Sequence, residues 1–170
     1  AVSLTGATTT IRGNITGSVL NTTGVVTVFG NIANTTAAST VQNTSGTMTV
    51  HGNITATYSG GTNYAAQCTA GSQYIYGTLT ATGTTGIGAI CTGGTQHITG
   101  YVTSTSSIGV TTTTTGNQVV RGNISAGAYA AQCATSGTQH IFGHLTITST
   151  GAAAAAICTS GTQTILGNLI

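Results

Sequence analysis

A glycine flanked two positions away on either side by branched aliphatic residues recurs eight times along the chain. The glycines are Gly13, Gly30, Gly52, Gly77, Gly100, Gly122, Gly143 and Gly167, spaced by 17, 22, 25, 23, 22, 21 and 24 residues. Two positions before them stand Ile11, Val28, Val50, Ile75, Ile98, Val120, Ile141 and Ile165; two after stand Ile15, Ile32, Ile54, Leu79, Val102, Ile124, Leu145 and Leu169. Side chains of an extended strand alternate between faces, so the aliphatics and the anchor glycine share one face. The other face holds Arg12, Phe29, His51, Tyr76, Thr99, Arg121, Phe142 and Leu166 before the glycine, and Asn14, Asn31, Asn53, Thr78, Tyr101, Asn123, His144 and Asn168 after it. A face that accepts Arg, Tyr and Asn is exposed or wet. An inward glycine between two aliphatics predicts a bend, or a close backbone approach across a thin core.

The repeat extends upstream. A second glycine lies six residues before the anchor in seven units: Gly24, Gly46, Gly71, Gly94, Gly116, Gly137 and Gly161. Gln73, Gln96, Gln118, Gln139 and Gln163 lie four before it in the last five. Units this short bury too few aliphatics to fold alone, so they are expected to stack as coils of one all-β domain spanning residues 1–170, a right-handed or arched β-solenoid roughly 40 Å long at about 4.8 Å per coil. An antiparallel sandwich is the competing architecture, but its strands have no need of one shared motif. Stacking places like over like, so the Gln and Asn columns are candidate amide ladders; the alternative for Gln is an ordinary polar strand entrance.

Composition narrows the function. Of 170 residues 41 are Thr and 26 Gly; there is no Asp, Glu, Lys, Pro or Trp, and Arg12 and Arg121 are the only charged side chains apart from any protonated His. Two arginines supply no positive footprint for nucleic acid. Carboxylate catalysis and Ca²⁺ or Mg²⁺ cages lack their ligands, so no enzyme, cofactor or metal is expected. Abundant Thr, Val and Ile argue for strands rather than disorder. No run approaches the roughly 18 apolar residues of a membrane span and no charged leader precedes an apolar run, so an exported protein is expected here in its mature form.

Cys68, Cys91 and Cys158 lie nine residues before their anchors and Cys133 ten before its own. They form one column in adjacent pairs of units, and only Cys68 with Cys91 and Cys133 with Cys158 would join neighbouring coils, where stacked Cα atoms fall inside the roughly 4.4–6.8 Å window of a disulfide. On a chain-entropy model each bridge adds about 3 kcal/mol. The runs Tyr64–Cys68 and Tyr129–Cys133 are both YAAQC, so a two-coil, one-bridge module is used twice. A metal site through His97 and His140 lacks the tight ligand pairs zinc favours, and nothing orients a base for a thiol enzyme. Disulfides place the chain outside the cytoplasm, at the cell surface or beyond.

Asn14, Asn21, Asn34, Asn43, Asn53 and Asn123 begin Asn-x-Ser/Thr sequons. About three of the ten asparagines would match by chance, so glycans and an unmodified Asn ladder both stay open. Outward Thr-x-Thr pairs at Thr55/Thr57, Thr80/Thr82, Thr103/Thr105 and Thr146/Thr148 resemble the ice-binding face of insect antifreeze proteins. Leu166, Leu169 and Ile170 belong to a core motif without the polar cap or edge protection that solenoids and sheets normally carry, which predicts end-to-end or edge-to-edge pairing with copies of the same chain.

The aliphatic-x-Gly-x-aliphatic rhythm resembles two groups of β-solenoid proteins. One is the bactofilin type of polymer-forming cytoskeletal protein. The other is extracellular β-rich envelope material, including filamentous adhesins and the amyloid-like tubular sheaths of filamentous methanogenic archaea, which the paired cysteines, neutral composition and sequons favour. That resemblance implies assembly into hoops or tubes resistant to detergent and protease. The expected function is a self-assembling structural subunit of an extracellular filament, tube or sheath, with an ice-binding or adhesive solenoid as the alternative.

Overall fold

The structure is a computed structural model that describes residues 1–170 apart from Ala37, Ser59 and residues 150–152. The first coil consists of β1 (Val2–Arg12) and β2 (Ile15–Thr16), and the second of β3 (Val19–Phe29) and β4 (Ile32–Asn34). The third has three strands: β5 (Val41–Asn43), β6 (Thr47–His51) and β7 (Ile54–Thr57). Four further coils repeat that triple: β8 to β10 (Asn63–Cys68, Ser72–Tyr76, Leu79–Thr82), β11 to β13 (Gly86–Cys91, Thr95–Thr99, Val102–Ser104), β14 to β16 (Val110–Thr112, Asn117–Arg121, Ile124–Ala126) and β17 to β19 (Tyr129–Cys133, Thr138–Phe142, Leu145–Ile147). An eighth consists of β20 (Ala154–Cys158), β21 (Thr162–Leu166) and a bridge from Leu169 to Leu145.

Each strand pairs in parallel with its counterparts one coil before and after, and among the described residues there is no helix and no antiparallel pair. Three strand columns result. The first and second merge through the long strands β1 and β3 into a 14-stranded sheet, and the third is a separate 7-stranded sheet. The chain is thus a β-solenoid, the fold the repeat predicts; the eight coils expected from its eight units amount to about seven turns, because the first and last are incomplete.

Corners, rather than one long strand, set the geometry. The single extended strand expected through the anchor glycine is broken there: the second-column strand ends one residue before it, and the third-column strand starts two residues after. Both flanking aliphatics still point inward because the chain turns. A side chain on any anchor glycine after the first would collide with the carbonyl of the anchor one coil earlier, as Gly52 would with Gly30. The close approach is therefore between coils and not across the core. The upstream glycines form the corner between the first two columns, where Gly46, Gly71 and Gly94 have φ of 82°, 73° and 75°, a left-handed conformation that a Cβ disfavours.

The first-column strands lie in the stretch that reads from sequence as a variable, turn-rich connection. They are legible only after the stack exists, because Val41, Ala66, Ala89, Val110, Ala131 and Ala156 align in one inward file. Small residues here meet Ile and Leu from the other two columns, and the core aliphatics between the end coils are almost wholly buried. At about 1.5–3 kcal/mol per buried aliphatic, the few in one coil cannot offset an ordering cost of about 1–2 kcal/mol per residue. Stability comes from the coil-to-coil contacts. Variation in unit length is absorbed between the third column and the next first column: Gly17 and Ser18 suffice after β2, whereas residues 58–62 separate β7 from β8.

Candidate functional site

The chemistry-bearing side chains are arranged in files running along the stack, each a consequence of the in-register pairing. The buried one is glutamine. Nε2 of Gln96, Gln118, Gln139 and Gln163 donates to Oε1 of the Gln one coil earlier at 2.6, 2.6, 2.7 and 2.6 Å. Gln73 opens the file, donating to the Gln67 carbonyl at 3.2 Å, with its amide 3.8 Å from Sδ of Met48. Gln73, Gln96, Gln118 and Gln139 are fully buried. Of the two readings left open for these residues, the structure shows the ladder.

A second file lines the corner between the first and second columns: Leu4, Asn21, Asn43, Cys68, Cys91, Thr112, Cys133 and Cys158 are successive register partners. Asn21 Nδ2 donates to Asn43 Oδ1 at 2.8 Å and to the Ser45 and Thr47 carbonyls; Asn43 Nδ2 donates to the Ala70 and Ser72 carbonyls at 3.2 and 3.0 Å. The thiols occupy the same carbonyl-rich corner, Cys68 Sγ lying 3.6 Å from the Thr95 carbonyl and Cys91 Sγ 3.6 Å from that of Asn117. The cysteine column is therefore a continuation of an asparagine column. A sequence signal for this exists: Asn21 and Asn43 stand nine residues before Gly30 and Gly52, the offset of three of the cysteines. The Thr112 hydroxyl, bonded to Gln118 Oε1 at 3.2 Å, interrupts the thiols. Asn21 Oδ1 lacks a donor because Leu4 lies beneath it.

All four cysteines are thiols in this structure, Cys158 exposed and the others buried. The neighbouring Cys91 thiol holds Cys68 below its ordinary value, and Cys68, with burial, pushes Cys91 up. Burial, then the neighbouring Cys158, raises Cys133. His97 and His140 lie two coils apart on the outward face and do not converge with the thiols. Among the described residues no group of three or more metal-binding side chains occurs and no pocket is found.

The outward files are aromatic, amide and hydroxyl. Arg12 lies over the Phe29 ring at 4.8 Å, Phe29 stacks on His51 at 4.8 Å, and His51 on Tyr76 at 5.0 Å; five coils further, Arg121 covers Phe142 at 5.4 Å. Beside this ribbon the Oδ1 atoms of Asn14, Asn31, Asn53 and Asn123 accept the backbone N–H of the matching residue one coil later, each at 2.9 Å. Three sequons, Asn14, Asn53 and Asn123, lie on this exposed ridge, whereas Asn21, Asn34 and Asn43 are buried and leave no room for a glycan in the folded chain. On the third column Thr55, Thr80 and Thr103 stack in register, and Thr82 Oγ1 donates to Thr57 Oγ1 at 3.2 Å.

The two end coils are more exposed than those between them. Leu166, Leu169 and Ile170 are 61, 58 and 70% exposed; Leu145, the register partner of Leu169, is fully buried, whereas Phe142, that of Leu166, is itself 41% exposed on the outward face.

No protein-family model, curated protein or solved structure matches the chain.

Proposed function

We propose that the chain is a structural β-solenoid whose coils are built to stack on further coils of the same pattern, so that copies assemble into an extracellular filament, tube or sheath. The observation that carries this is the Gln ladder of the last five coils: each Gln donates to the coil before it and offers an acceptor to the coil after it, so Gln163 at the end of the file leaves its acceptor open to a further coil, head to tail. In a stack of copies the first coil would present Thr9, Ile11, Asn14 and Ile15 to Gln163, Ile165, Asn168 and Leu169, residues of the same four files. The Thr9 hydroxyl would donate to Gln163 Oε1, and Leu166, Leu169 and Ile170 would be covered. No file places like charges in neighbouring coils, so such stacking meets no ladder repulsion.

This reading is tested by imaging the purified full chain by electron microscopy and following its mass by light scattering across concentration. Filaments or tubes one solenoid wide, or bundles of them, are expected. A monodisperse monomer at millimolar concentration would overturn it. The in-register hydroxyl file Thr55–Thr80–Thr103 favours a second reading, a soluble solenoid presenting a flat threonine face to an ordered surface such as ice; thermal hysteresis in dilute solution is its readout.

A further inference from the structure

We propose that Cys68–Cys91 and Cys133–Cys158 close as coil-to-coil disulfides of unequal character, the first a sealed staple and the second a redox-responsive latch. Register decides the connectivity. Each pair consists of direct partners in adjacent parallel strands, about 4.8 Å apart, inside the roughly 4.4–6.8 Å Cα window of a disulfide. Cys91 and Cys133 have Thr112 between them and stand two coils apart, about 9.6 Å, beyond reach.

Burial decides the character. Cys158 is exposed, whereas Cys68 and Cys91 are fully buried among corner carbonyls. In the folded chain a small disulfide such as oxidised glutathione reaches only the second pair. The Cys158 thiolate attacks it, a mixed disulfide forms and one glutathione leaves as thiolate. Cys133 then loses its proton to solvent and attacks the Cys158 sulfur, releasing the second glutathione. Two protein thiols give up two electrons and two protons, and the oxidant's disulfide becomes two thiols. In the first pair Cys68 is the attacking sulfur, its thiol favoured for ionisation by the neighbouring Cys91, but the exchange needs the corner open. The staple therefore forms as coils four and five stack, and persists afterwards.

Both bridges lie within one chain, so the pairing does not depend on assembly and survives a monomeric protein; the latch is open to solvent in the unstacked chain, where Cys158 is exposed. The two arginines make the test simple. Trypsin, cutting after Arg12 and Arg121, separates residues 13–121, with Cys68 and Cys91, from residues 122–170, with Cys133 and Cys158. The full chain is refolded in a glutathione redox buffer, unfolded in the presence of excess alkylating reagent, and digested. Two unlinked fragments, each unalkylated and about 2 Da lighter than its dithiol form, are expected. Linked fragments, or fragments carrying two alkyl groups each, would overturn the pairing. Exposure of the oxidised folded protein to reduced glutathione should open the bridge in 122–170 at least tenfold faster than that in 13–121, and equal rates would overturn the division into staple and latch. Cys158→Ser should leave the 13–121 bridge intact; its loss in a folded variant counts equally against the proposal.

Discussion

A glutamine in a strand core is costly alone and inexpensive in a file, because each amide completes the one before it. Gln118→Ala removes the donor to Gln96 Oε1 and the acceptor for Gln139 Nε2 and leaves a cavity. The unfolding free energy from urea titration is expected to fall by about 2–4 kcal/mol. Asn117→Ala, one position away on the outward face, should change it by less than about 0.5 kcal/mol. Glycine follows the same positional rule. Gly52→Ala drives a Cβ into the backbone of Gly30, and loss of cooperative unfolding or of soluble protein is expected, whereas Gly60→Ala meets nothing within 4 Å and should be close to neutral. At this scale the aliphatic and glycine columns were legible because they repeat at fixed offsets. The burial of Asn21 and Asn43 was not, since their sequon pattern is read before their place beside the cysteines is known. Glycopeptide mass spectrometry of native material should find any sugar confined to Asn14, Asn53 and Asn123; a glycan on Asn21, Asn34 or Asn43 would contradict the buried placement.

Strands and corners govern how the stack responds to pH. With no Asp or Glu, the usual acid-denaturing groups are missing. His97 on β12 is held below its ordinary 6.5 by burial and then by the Arg121 charge, so the unfolded chain binds the proton more readily. Its contribution to stability is present above 6.5 and lost as pH falls through the folded value. Tyr58, at the turn after β7, is raised above 10.0 by burial, which the bonds with Thr40 only partly offset. The unfolded chain ionises first, so that stability is present below 10.0 and lost as pH rises through the folded value. Cys91 and Cys133, while reduced, act in the same direction above 9.0. Urea midpoints measured across pH should show a plateau from about 6.5 to about 9, a shallow acid shoulder that His97→Gln removes, and an alkaline fall. A steep loss below pH 4 would contradict this account.

For the whole molecule, near-absence of charge is the property with the widest consequences. Assembly through amide, hydroxyl and aliphatic files should vary little between 10 mM and 1 M salt, because few charges exist to screen. Leu169→Lys places an ammonium in the exposed end of an aliphatic file without disturbing a buried side chain, so folding should persist while light scattering shows assembly reduced at least tenfold. Assembly unchanged in that variant would direct attention from the end coil to the lateral faces.

Composition alone establishes the scarcity of charged groups, and periodicity the eight units, the inward aliphatics and the stacked cysteines, because each of these depends only on offsets within a unit. The three-column cross-section, the first-column strands and the division of polar residues between buried and exposed files emerge only once coils are stacked. Their determinants are contacts between residues some twenty positions apart: a carbonyl of one coil meeting a glycine of the next, or an amide finding its partner in the coil before. Local sequence states which residues can turn or pair, and the neighbouring coil decides which of them do.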